Sequence, residues 1–158
     1  MRSSLTLEHS HQRQEHHDLA VSATIHCLTG CAIGEVLGMV MGVAFGWSNA
    51  VTVALSVVLA FLFGYSMTLW PLFAGGMSFR MAAGLALASD TLSITVMEIV
   101  DNVVVLMIPG AMDAGLTSLL FWGSLALSLA MAFIAALPVN RWLIRRGRGH
   151  ALVHAHHH

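Results

Sequence analysis

Lysine is missing from this chain altogether, and charge of either sign is scarce: only 9% of its 158 residues are Asp, Glu, Lys or Arg. A soluble domain carries roughly a quarter charged residues, so this chain could not cover a water-facing surface with polar groups. The absent lysines and the formal net charge of −1 also argue against a basic face for nucleic acid. Cysteine occurs twice, which is no disulfide framework. Cys27 and Cys31 stand one helical turn apart, where a bridge would close a tiny loop and stabilise little. No phosphate-binding glycine loop, nucleophile elbow or HExxH pattern is present, and the chain is not expected to be an enzyme.

What is abundant is apolar: 57% of the residues, at a mean hydropathy of +0.78. They fall into four runs, Ile25–Trp47, Ala50–Phe73, Met81–Ile108 and Leu116–Leu137, bounded by Ser48-Asn49, Pro71 with Gly75-Gly76, Pro109-Gly110 and Pro138. Each reaches the ~20 residues that cross a bilayer core. The expected fold is an all-α, polytopic membrane protein, an up-and-down bundle of four transmembrane helices. The reading divides the chain into a His-rich tail (1–22), the membrane domain (23–140) and an Arg/His-rich tail (141–158). Glu8, Glu15 and Asp18 precede the first apolar run, unlike the start of a secretory signal peptide, so that run is expected to be retained.

All seven basic residues are arginines: Arg2, Arg13, Arg80, Arg141, Arg145, Arg146 and Arg148. With both termini in the cytoplasm every one obeys the positive-inside rule, and the connections near Ser48 and Asp113 hold none. The expected location is a bacterial inner membrane, with the lipid bilayer as the principal partner and the tail arginines against anionic headgroups.

In the first run Gly30, Gly34, Gly38, Gly42 and Gly46 recur every four residues. Such a column lets a second backbone approach closely, the usual basis of helix association in lipid. The sequence leaves open whether that backbone belongs to the same chain or to a second copy.

Beside the glycines runs a second column, Cys27, Cys31, Glu35 and Met39. In the third run, at ~100° per residue, Asp90, Met97 and Asp101 share one direction, flanked by Glu98 and Asn102. Four carboxylic acids thus stand inside predicted spans. His26 is the only basic side chain in the interior of any span. An ionised acid at the bilayer centre costs roughly 2.5–3.5 kcal/mol on insertion scales. Four together must be protonated, hydrated in a cavity or balanced by a cation. The alternative is that they are neutral and bind helices together by hydrogen bonds.

Thiols and thioethers favour soft ions such as Cu(I), and imidazole suits zinc, copper and nickel. The candidate metal-handling residues are therefore His26, Cys27, Cys31, Glu35, Met39, Asp90, Met97, Glu98 and Asp101. Met39, Met41, Met107 and Met112 stand towards the outside, and His26, Cys27 and Cys31 towards the inner mouth. The cargo expected is a transition-metal ion, copper first and zinc or nickel next. His9, His11, His16 and His17 and the terminal His150, His154, His156, His157 and His158 form short histidine-rich tracts of metal-binding composition. Four helices are few for a complete pathway, so a homo-oligomer is expected. Two other readings stay open: a proton-coupled carrier subunit for a small solute, and a non-transporting assembly or accessory protein.

The segment His26-Cys27-Leu28-Thr29-Gly30-Cys31-Ala32-Ile33-Gly34-Glu35, with Asn140-Arg141-Trp142-Leu143 and Gly149-His150-Ala151, resembles a family of small bacterial membrane proteins catalogued as a domain of unknown function. The resemblance covers roughly residues 22–155. It implies the four-helix architecture, and that the C-terminal histidines belong to the protein.

Overall fold

The computed structural model describes residues 2–146, with side chains from residue 17 onward. The side chains of His9, His11 and His16, and the whole of Arg148, His150, His154 and His156–His158, lie outside the described residues. Four helices follow one another: α1 (Arg2–Phe45), α2 (Asn49–Ala74), α3 (Phe79–Met107) and α4 (Leu119–Arg145). Each contains a stretch long and apolar enough to span a membrane, so this is a multi-pass membrane protein.

Sequence neighbours pack antiparallel, α1 most extensively on α2 and α3 on α4. Packing of α4 against α1 closes the ring, and α1 also meets α3 across the bundle. Turns at 46–48 and the connection at 108–118 lie at one end. The α2–α3 turn, the start of α1 and the end of α4 lie at the other, so Arg80, Arg141, Arg145 and Arg146 gather at that second end.

The glycine column meets its partner within the chain. Gly30, Gly34, Gly38 and Gly42 oppose Gly64, Ala60, Ser56 and Thr52 of α2. This is a descending column of small residues that matches the ascending one. A methyl group on Gly30 would stand 2.7 Å from the Gly64 Cα, and methyls on the other three would overlap α2 outright. The close approach also allows Ser56 Oγ to donate to the Glu35 carbonyl at 3.4 Å. Gly46, grouped with the column on spacing alone, does something else. Its φ of 63° is left-handed and nothing lies within 4 Å of where its Cβ would be, so it ends α1 and turns the chain into α2.

Three helix boundaries differ from the sequence reading. α1 is continuous from Arg2, and its 44 residues extend for ~66 Å at 1.5 Å per residue, well beyond a bilayer core; no backbone break marks residues 22–23. Pro71 and Pro138, expected to end helices, sit inside α2 and α4. Each removes one backbone donor, a loss that packed membrane helices tolerate.

Continuing α4 past Pro138 brings Asn140 against α1, where its Nδ2 donates to Thr24 Oγ1 at 2.8 Å. Thr24 in turn donates to the Ala20 carbonyl at 2.7 Å. Interhelical polar contacts in membranes average about 0.6 kcal/mol and reach about 1.7. Asn140 is buried, so Asn140→Ala should lower stability by roughly 1–2 kcal/mol once its packing is included. Unfolding in mixed micelles measures this, and a change indistinguishable from zero would mean that the α1–α4 contact is not formed.

Candidate functional site

The second column of α1 faces the polar face of α3. Cys27 and Cys31 are 1% exposed, Glu35 3%, Asp90 and Met97 1%, and Glu98 and Asp101 5% each. The small residues of α2 and α4 allow this. Ala60, Ala132 and Ala136 are wholly buried beside Cys27, Cys31, Ile94 and Met97, leaving the bundle axis to the larger side chains of α1 and α3.

α1 and α3 point the same way, so their side chains meet rung by rung. Cys27 lies beside Asp90 and Ser93. Cys31 lies beside Glu98, with Glu35 above it and Cys27 below it on α1. Glu35 meets Asp101, with Glu98 also near. Asp90 accepts a hydrogen bond from Ser89 at 2.7 Å. The other acids are less well met. Glu35 Oε2, Asp101 Oδ1 and both oxygens of Glu98 are buried with no hydrogen bond of acceptable geometry among the described residues. The Glu98 contact with Cys31 is thus a close approach and not a well-formed bond. Two carboxylates side by side in a poorly solvated interior are not both charged without a counter-ion. A proton or a cation belongs between Glu35 and Asp101.

Above that pair the bundle opens. A cavity of about 260 Å³ extends from Glu35 and Asp101 to the connections at the 46–48 end. Met39, half-buried, and Met112 line it, as do Asn102, Trp47 and Phe121. Asn102 is anchored by donating to the Glu98 carbonyl at 2.8 Å. Near the mouth Asn49 Nδ2 donates to Asp113 Oδ1 at 3.3 Å, which ties the start of α2 to the α3–α4 connection. Below the pair the interior is closed: Ile94 is fully buried, with its side chain against Gly64.

Seven of the nine candidate residues, Cys27, Cys31, Glu35, Asp90, Met97, Glu98 and Asp101, therefore share one buried seam, and Met39 lines the vestibule above it. His26 is half-buried. It follows Ile25 and precedes Cys27, about 100° around the helix from the thiol, and so lies off the seam's column. Met41 and Met107, which the sequence sets towards the outside, are 37% and 77% exposed. They face outwards from the bundle, because one residue of displacement on a helix turns a side chain to another face. Among the described residues no three of His, Cys, Asp and Glu form a group ready to hold a metal ion. The donors come in successive pairs.

Sequence reasoning did not single out Ser56, Thr24 or the Tyr65–Thr91 hydroxyl contact, 2.8 Å between α2 and α3. The every-fourth-residue spacing of Thr52, Ser56, Ala60, Gly64 and Thr68 was the available signal for the α2 column.

A family model described as a domain of unknown function, DUF4396, matches residues 17–149. The match begins at the first residue of the first candidate span and takes in all four. Among curated proteins and among solved structures, nothing matches the chain.

Proposed function

The chain belongs to the DUF4396 family, and for this member we propose that the protein binds and translocates a transition-metal cation across the membrane. Copper is the first choice of cargo, as Cu(I), with zinc or nickel next. The observation that carries the reading is the order of donors: a vestibule with Met39 and Met112, a floor of Glu35 and Asp101, then Cys31 with Glu98, then Cys27 with Asp90.

Buried oxygens of Glu35, Glu98 and Asp101 without hydrogen bonds among the described residues call for a positive charge, and the thioethers and thiols before and after them favour a soft one. Successive pairs of donors, in contrast to a closed cage, suit an ion that is handed on. Met97 lies in the same seam, and His26 stands near its far end. The described arginines belong to the end away from the vestibule, which supports an inner-membrane protein with cytoplasmic termini and an outward-facing vestibule. Because four helices make a thin wall around a pathway, the functional unit in this reading is a homo-oligomer.

A second reading has its own support. The carboxyl pair Glu35–Asp101 is also a natural proton site, as a proton-coupled carrier subunit for a small solute would need.

Purified protein, prepared without a metal-affinity step, is expected to retain or take up copper or its surrogate Ag(I) at micromolar supply, about one ion per chain. Protein-loaded vesicles should accumulate it faster than empty ones. Protein that holds no copper, silver, zinc or nickel under these conditions would end the metal reading.

A further inference from the structure

We infer that the vestibule is also a binding site for a small lipophilic organic cation, a protonated amine with an aromatic or hydrocarbon body, whose ammonium group sits on Glu35 and Asp101. The space exceeds what an ion needs. At ~30 Å³ for each water-sized unit, the 260 Å³ cavity has room for roughly nine non-hydrogen atoms.

The chemistry of its two ends differs. At the floor Glu35 and Asp101 line the cavity although the residues are only 3% and 5% exposed, and just behind it Glu35 Oε2 and Asp101 Oδ1 are buried with no hydrogen bond among the described residues. Two carboxyl groups this close in a poorly solvated site favour a cationic neighbour, which one ammonium group would supply. Asn102 adds an amide beside them. Higher up, the walls are Met39, Val105, Phe121 and Leu125, with Trp47 near the mouth. Apolar walls with a few convergent polar groups are the usual make-up of a small-molecule site. Among the described residues no arginine stands near the vestibule, and lysine is absent from the chain, so no described arginine or lysine fills this role. Below the floor, Ile94 and Met97 are at most 1% exposed, too closely packed for an organic body. The amine is therefore an occupant of the vestibule and a competitor for the metal pathway.

The inference stands apart from the metal reading, and one experiment separates the two. Phenethylammonium, which has the right size, is titrated calorimetrically into full-length protein in nanodiscs, with empty nanodiscs as background. The neutral isostere 2-phenylethanol and Ag(I) are titrated in parallel. Saturable binding of about one phenethylammonium per chain is expected, at least ~10-fold tighter than the alcohol. Glu35→Gln and Asp101→Asn should each weaken it by at least ~10-fold. Leu125→Trp, which fills the cavity and keeps both acids, should also weaken it, so the inference does not depend on the acid variants folding. Equal binding of alcohol and ammonium overturns it, as does the absence of saturable binding above the empty-disc background. Phenethylammonium binding without Ag(I) binding supports the inference and removes the metal reading. Ag(I) binding without phenethylammonium binding does the opposite.

Discussion

Replacing Gly34 with leucine should abolish the folded bundle. A Cβ at Gly34 would overlap the backbone of Ala60 and Leu59, and backbone cannot rotate away as a side chain can. Even Gly34→Ala forces α1 and α2 apart along their most extensive contact. Overpacking of this kind costs about 1–3 kcal/mol and sometimes more, and in lipid no hydrophobic drive between helices offsets lost packing. Leucine adds three more carbons in the same direction. The controls are Gly84→Ala and Gly123→Ala, where nothing lies within 4 Å of the new Cβ; these should leave stability unchanged or slightly raised. Gel filtration and thermal unfolding in detergent measure the series. Gly34→Leu protein as stable as the Gly123→Ala protein would show that the two helices do not meet as described.

The second large effect concerns the vestibule floor. The double variant Glu35→Gln, Asp101→Asn preserves side-chain shape and removes both ionisable groups. Metal uptake should fall by at least ~100-fold, since even groups that only support a metal ligand commonly change affinity 10–100-fold. Cys31→Ser should produce a smaller loss, roughly 10-fold, because Glu98 remains on the same rung. Met41→Leu and Met107→Leu should change nothing, since both side chains face away from the interior. Uptake that survives the double amide would leave the acids as neutral helix-to-helix hydrogen-bonding groups. Uptake lost in Met41→Leu as much as in Met39→Leu would remove the vestibule from the pathway. A proton-coupled carrier of another solute predicts a different pattern, in which transport fails with the amides and is indifferent to Cys27→Ser and Cys31→Ser.

The seam was legible because its residue types are costly in a membrane and recur with helical spacing. Glu35 on one helix and Asp90, Glu98 and Asp101 on another had to turn inwards, and helical spacing carried Cys27, Cys31 and Met97 with them. Met41 and Met107, which face outwards, illustrate the converse. A methionine is equally at ease against lipid or protein, so its presence says little about direction. Pro71 and Pro138 signal stops in the sequence because proline interrupts an isolated helix. Whether a helix continues past one depends on what its next turn packs against, and for α4 that is Thr24 on a helix more than a hundred residues earlier.

Hydropathy and the four-residue spacings by themselves determined four membrane helices, a tight small-residue contact and a buried polar stripe, because apolar length and helical periodicity are properties of each segment alone. The tertiary structure decided the rest. It assigned the glycine column to α2 of the same chain and released Gly46 to a turn. It paired Glu35 with Asp101 and opened a vestibule above them. Those outcomes depend on the register between helices, which is set by the fit of side chains on different segments, and no single segment encodes that fit.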